Sequence, residues 1–286
     1  MLIKESIERY ISYVKRQFSL GTHKYYKSHL GHFLNWAVKR NILNMEDIKY
    51  YVFDDYIADM KLTCSNATIN KRIGMLKRWS INQNHDFPYL HSINKLKERK
   101  TTFKMLDKKS MSKILRYVNS LNPDLYNNLI YKTMIYLLID TGARINEVLN
   151  IEIKNIDLRK NEILLTTTKT KTDRIVYFMN DTLDLVKQVI KKSQSTFLLY
   201  NNEKDRLIKY EDVRFFFRKM KRNLGIDELH PHMFRHTMAT NWLEAGADLI
   251  SVMETLGHKN IETTERYIHF NKKHIKKMYV EKYTRN

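Results

Sequence analysis

A single cysteine, Cys64, in 286 residues leaves nothing from which to build an internal disulfide framework or a cysteine-based structural zinc site. Glycine and proline are also scarce, at 7 and 3, which argues for many helices and few elaborate loops. No uninterrupted apolar run of about 18 residues is present, and the opening MLIKESIERY is charged where a signal peptide would be apolar. These absences predict a soluble, unprocessed, cytoplasmic chain with no membrane partner. No glycine-rich phosphate loop supports nucleotide hydrolysis, and no repeat period suggests a solenoid. Acidic residues are the minority: 31 Asp and Glu stand against 51 Lys and Arg, a net charge of +20.

An excess of that size points to a polyanionic partner. It is shared along the chain, since residues 1–105 hold 19 Lys and Arg against 9 Asp and Glu, half of the surplus. With 43% hydrophobic residues, the length is enough for a core in each of two domains.

Periodicity predicts four helices at the start: Leu2 to Phe18, His23 to Arg40, Met45 to Met60 and Asn66 to Gln83. Ile3, Ile7, Tyr10, Ile11 and Val14 form one apolar stripe; Tyr26, Leu30, Phe33, Leu34 and Ala37 form another. Thr22 and Ser65 with Asn66 are the expected caps. From Asn84 to Met105 the pattern breaks at Pro88, and Lys95, Lys97, Arg99, Lys100 and Lys104 crowd a stretch read as a basic interdomain linker that contacts DNA. Helices are then expected at Lys108 to Leu121 and Pro123 to Asp140, with a turn at Thr141 and Gly142 and a short helix after it. Ile163 to Thr168 and Arg174 to Phe178 read as a β-hairpin. Further helices are expected at Asp181 to Lys192, Tyr210 to Asn223, Pro231 to Ala245, Asp248 to Leu256 and Glu262 to His269. Pro231 suits a first turn and Gly257 a helix end.

Two stretches carry chemistry. TGARINEVLNI holds Arg144 and Glu147; HPHMFRHTMATNWLEAGADLISVMETLGHKNIETTERYIHF holds His232, Arg235, His258 and Tyr267. In residue type, order and spacing they are similar to the two signature boxes of the tyrosine recombinase (phage integrase) family, in its Xer-like two-domain form. His258 follows Arg235 by 23 residues and Tyr267 follows His258 by 9.

The residue types suit the reaction. Cutting a phosphodiester without metal calls for fixed cations around the transition state, and two arginines can fork onto the non-bridging oxygens. A tyrosine that attacks through its phenolic oxygen conserves the bond for rejoining without ATP. His232, three residues before Arg235 on one predicted helix, suits a general base; His258 suits a hydrogen bond to the phosphate. Glu147 would orient a catalytic neighbour. The family takes the proton for the leaving 5′-hydroxyl from a hairpin lysine. Lys169, five residues before Arg174, is the choice here, with Lys171 the alternative. His230, His232 and His236 could suggest zinc, but no cysteine or clearly placed acid completes a ligand set, so no metal or other cofactor is expected.

The resemblance implies a mainly α fold with a small antiparallel hairpin or sheet. A SAM-like helical core-binding domain (1–83), a linker (84–105), a catalytic domain (106–270) and a tail helix (271–286) would make up the chain. It implies a site-specific recombinase that cuts and rejoins double-stranded DNA through a 3′-phosphotyrosyl link. Four protomers would act on paired sites, starting from a monomer or dimer, with accessory DNA-bending or directionality proteins possible. The tail, with Ile275, Met278 and Tyr279 at helical spacing, would dock on a neighbour or on its own chain. Lys71, Arg72, Lys77 and Arg78 on one predicted helix, with Lys97, Arg99 and Lys100 in the linker, are the expected DNA contacts. The alternative from a different class is a regulator or architectural protein that binds DNA on this fold without cutting; a type IB topoisomerase shares the chemistry but lacks this box spacing.

Overall fold

A computed structural model describes residues 1–98, 104–122, 124–166 and 173–257. The chain divides into two compact units, Met1–Thr101 and Thr102–Asn286.

The first unit is helical. The stripe Ile3, Ile7, Tyr10 and Val14 of α1 (Ile3–Gln17) is buried against α2 (Leu20–Lys39), which turns Tyr26, Leu30, Phe33 and Ala37 inward. The cap of α2 is Ser19, not Thr22: the Ser19 hydroxyl accepts the Thr22 backbone N–H at 3.3 Å, so the helix starts a turn earlier than expected. The predicted helix from Met45 splits. Met45–Asp47 is a single 3₁₀ turn whose Asp47 carboxylate accepts the Asn44 N–H at 2.8 Å, and α3 (Tyr50–Thr63) begins afresh. Ser65 caps α4 (Asn66–Asn82), which buries Ile69, Ile73, Leu76 and Trp79. Trp79 is fully buried, and its indole N–H donates to the Ser6 hydroxyl at 3.0 Å, joining α4 to α1.

From Asn84 to Glu98 the segment read as a linker belongs to this unit, whereas Lys104 and Met105 belong to the second. Pro88 does not interrupt structure; it sits at the first position of α5 (Pro88–Ser92), where a missing N–H costs nothing. Leu90 is fully buried, and Phe87, Ile93 and Leu96 pack on the same core. Lys77 Nζ donates to the carbonyl oxygens of His91 and Ile93 at 3.0 and 2.7 Å, and the Asn70 side chain binds both the N–H and the carbonyl of Leu96 at 2.9 Å.

The second unit is built around α7 (Tyr126–Thr141), whose Leu129, Ile130, Met134, Ile135, Leu137 and Leu138 are all buried. Ahead of it lies α6 (Lys108–Asn119), capped by Asp107, whose side chain accepts the Ser110 N–H at 2.7 Å. After it come α8 (Ile145–Leu149) and a three-stranded antiparallel sheet of β1 (Ile156–Asp157), β2 (Glu162–Leu165) and β3 (Arg174–Tyr177). Ile163 pairs with Val176 in register, and both are fully buried, so the hairpin lays one face on the core. Asp140 on α7 accepts the Met179 N–H at 2.9 Å and the Thr182 hydroxyl at 2.5 Å, fastening the start of α9 (Asn180–Lys192). A two-residue ribbon, β4 (Tyr200–Asn201) with β5 (Arg206–Leu207), precedes α10 (Tyr210–Leu224). Last come α11 (Pro231–Glu244), with proline in its first turn as expected, and α12 (Leu249–Leu256), closed by Gly257. Among the described residues no helix is long and apolar enough to cross a membrane.

Candidate active site

Two turns and one helix end build the site. Gly142 ends α7 at φ +58°, and a Cβ there would stand 3.0 Å from the Met238 sulfur and 3.1 Å from Leu256, so both the backbone angle and the packing select glycine. The turn it makes delivers Arg144 to the start of α8. There Glu147, in the first turn, accepts the Arg144 backbone N–H at 2.8 Å in the manner of a capping box. Gly257 ends α12 in the same way, at φ +65°.

The last carbonyls of a helix lack intrahelical donors and sit at the negative end of its dipole. Three consecutive carbonyls at the end of α12 each receive an arginine. Thr255 accepts from Arg174 Nε at 2.7 Å, Leu256 from Arg235 Nη2 at 2.7 Å, and Gly257 from Arg144 Nη2 at 3.3 Å. Arg235 also donates to the Gly142 carbonyl at 3.0 Å, tying α11 to the first turn, and is buried at 4% exposure. Carbonyl acceptors orient a guanidinium without cancelling its charge.

Glu147 binds two of these arginines. Its Oε1 accepts from Arg144 Nη1 at 3.0 Å and from Arg174 Nη1 at 3.1 Å; its Oε2 accepts from Arg174 Nη2 at 2.7 Å. Burial alone would raise its pKa, yet the hydrogen bonds and charge of Arg174, then the Arg144 backbone, hold it down at about 2. The side chains of Glu147 and Arg174 are each 9% exposed, whereas that of Arg144 is 38% exposed.

His232 lies in the first turn of α11 with an exposed edge. Its pKa is lowered, chiefly because the surrounding protein displaces water, then because Arg235 and Arg144 hold positive charge nearby and His230 repels it when protonated. One turn on, His236 is pushed down to about 4 by burial and then by His232 and Arg235. The structure thus brings Arg144, Glu147, His232 and Arg235 together around the end of α12. Among the described residues no cluster of three His, Cys, Asp or Glu is arranged to hold a metal. Lys169, its alternative Lys171, His258 and Tyr267 lie outside the described residues, as do Arg99, Lys100, the Glu262 to His269 helix and the 271–286 tail.

On the first unit, Lys71 and Arg78 stand seven residues apart on one exposed face of α4, and Lys97 is exposed. Arg72 is half-buried and turned inward, with Nη1 3.5 Å from the Cys64 sulfur, and Lys77 is engaged with the α5 carbonyls described above. Sequence reasoning singled out no role for Arg174. Its partner is 27 residues away, and only its place in the hairpin pattern, five residues after Lys169, marked it.

The model of the phage integrase family matches residues 104–274. The chain is 26% identical over 284 residues to a probable integrase/recombinase of Acholeplasma phage L2, covering 96% of this chain and 95% of that one. It is 29% identical over 285 residues to the tyrosine recombinase XerC of Staphylococcus aureus, covering 95% and 93%. Its fold is similar to that of the XerH site-specific recombinase bound to palindromic difH substrate, with a TM-score of 0.75, 20% identity and coverage of 95% and 82%.

Proposed function

The chain belongs to the phage integrase family, and from that membership we propose that it is a site-specific recombinase that cuts and rejoins double-stranded DNA through a 3′-phosphotyrosyl bond to Tyr267, without metal or nucleotide. The observation that carries the reading is the set of arginines fastened to the last carbonyls of α12, immediately before His258. Arg144 and Arg235 are held from behind by backbone oxygens, so their positions are fixed before a phosphate arrives and no reorganisation is needed as charge develops.

In the proposed step the Tyr267 oxygen attacks phosphorus while the bond to the 5′ oxygen breaks. The phenolic proton passes to His232, whose lowered pKa keeps the ring neutral and able to accept it at neutral pH. The departing 5′ oxygen takes a proton from Lys169 or Lys171, and His258 donates a hydrogen bond to the phosphate. Rejoining runs the same transfers backwards. Contacts from Lys71, Arg78 and Lys97, with Arg99 and Lys100, would be mainly to phosphates and would fix register rather than read sequence. Four protomers on paired sites, with accessory DNA-bending or directionality proteins, fit a reaction that exchanges strands between two duplexes.

The test is incubation with nicked duplex fragments of host DNA followed by detergent. Wild type is expected to give detergent-resistant protein–DNA adducts, and sequencing the trapped DNA identifies the site. Tyr267→Phe is expected to bind that site as tightly and give no adduct. Tight, sequence-selective binding by wild type with no adduct would favour a non-cutting regulator.

A further inference from the structure

Of the three arginines docked on the end of α12, Arg174 has a side chain only 9% exposed and forks onto the Glu147 carboxylate. Both oxygens of Glu147 are shared: Oε1 between the guanidinium groups of Arg174 and Arg144, Oε2 between Arg174 and the Arg144 main chain. One negative charge is thereby set against two positive ones, and the surplus lies on the more exposed Arg144. Without Arg174, a buried carboxylate would be left with Arg144 as its only counter-charge among these groups. It would then draw that guanidinium inward and offset its charge in a one-to-one ion pair. Arg174 also floors the second turn, since a Cβ on Gly257 would stand 2.9 Å from its Nη1, and that turn's carbonyl is the one that holds Arg144 Nη2.

We propose that Arg174 is a positioning residue: its fork onto Glu147 and the Thr255 carbonyl leaves the positive charge of Arg144 in surplus and oriented toward the DNA phosphate. The proposal rests on the reading of Arg144 as a phosphate clamp. It predicts an effect on the chemical step rather than on binding, transmitted through Arg144. A residue that merely stabilised the fold would show neither property.

The experiment is single-turnover cleavage, by the full chain, of a nicked duplex bearing the site recovered from wild-type adducts. Wild type is compared with Arg174→Met, Arg174→Lys, Arg144→Lys and the double variant Arg174→Met with Arg144→Lys. At saturating DNA, Arg174→Met should form adduct about 10–100-fold more slowly, the range for losing a residue that orients an active-site group, with DNA affinity unchanged. Arg174→Lys, which keeps the charge and lacks the fork, should also be slow while melting close to wild type. In the Arg144→Lys background, adding Arg174→Met should cost little more, because the group it positions is already altered. Losses that multiply in the double variant, or wild-type rates from folded Arg174→Lys, would overturn the proposal. If Arg174→Met does not fold, the Lys variant, alone and combined with Arg144→Lys, carries the same comparison. No adduct from wild type would overturn the recombinase reading and the proposal with it, a result distinct from active wild type with unaffected variants.

Discussion

His236 shows how the site residues are tuned by their surroundings. It stays neutral in the fold down to about pH 4, whereas in the unfolded chain it takes up a proton as pH falls through 6.5. Below pH 6.5 the unfolded state therefore binds more protons, and stability falls as pH drops through that window. The loss from this one side chain should be roughly 2–3 kcal/mol by pH 4. Urea unfolding at stepped pH values should show a shallower slope between pH 6.5 and 4 for His236→Gln than for wild type. Equal slopes would mean that His236 is not held neutral. At this scale the sequence marked four residues that the fold brings together, because Arg144, Glu147, His232 and Arg235 sit in two short boxes with fixed spacing. Arg174 escaped notice for a physical reason. Its role lies in a pair that only folding creates, between a strand and a helix start, and no local pattern encodes it.

At the scale of elements, long amphipathic helices were legible because their stripes repeat over several turns: α1, α4 and α10 lie within a few residues of expectation. Two-residue strands were not. β1, β4 and β5 are too short to display a period of two, although each pairs across a short turn with the strand next to it in sequence. α5 was hidden by its own proline, which breaks a helix from inside but starts one at the first position. Within α4, Gly74 lies between Lys71 and Arg78 on one face, and a Cβ there would meet no atom within 4 Å. Glycine inside a helix costs about 1 kcal/mol relative to alanine, so packing does not explain its presence. If that face meets DNA backbone, as proposed, glycine permits the closest approach. Gly74→Ala should therefore raise stability by about 1 kcal/mol while weakening DNA binding, read by thermal melting and by titration with duplex. Higher stability with unchanged affinity would remove α4 from the DNA-facing surface.

Across the whole molecule, the surplus of positive charge, the helical first unit and the arginine-bearing second unit fit the proposed reading of a chain that holds duplex DNA and performs phosphoryl transfer on it. Charge alone pointed only to a polyanion; the resemblance of the two boxes pointed to the reaction proposed. The most direct test of the central claim is to trap the wild-type adduct on a nicked site, trim the DNA with nuclease, digest the protein and sequence the modified peptide by mass spectrometry. The expected result is a nucleotide joined through its 3′ phosphate to Tyr267, with a free 5′-hydroxyl on the released strand. A nucleotide on any other residue, or a 5′-phosphate link, would contradict it.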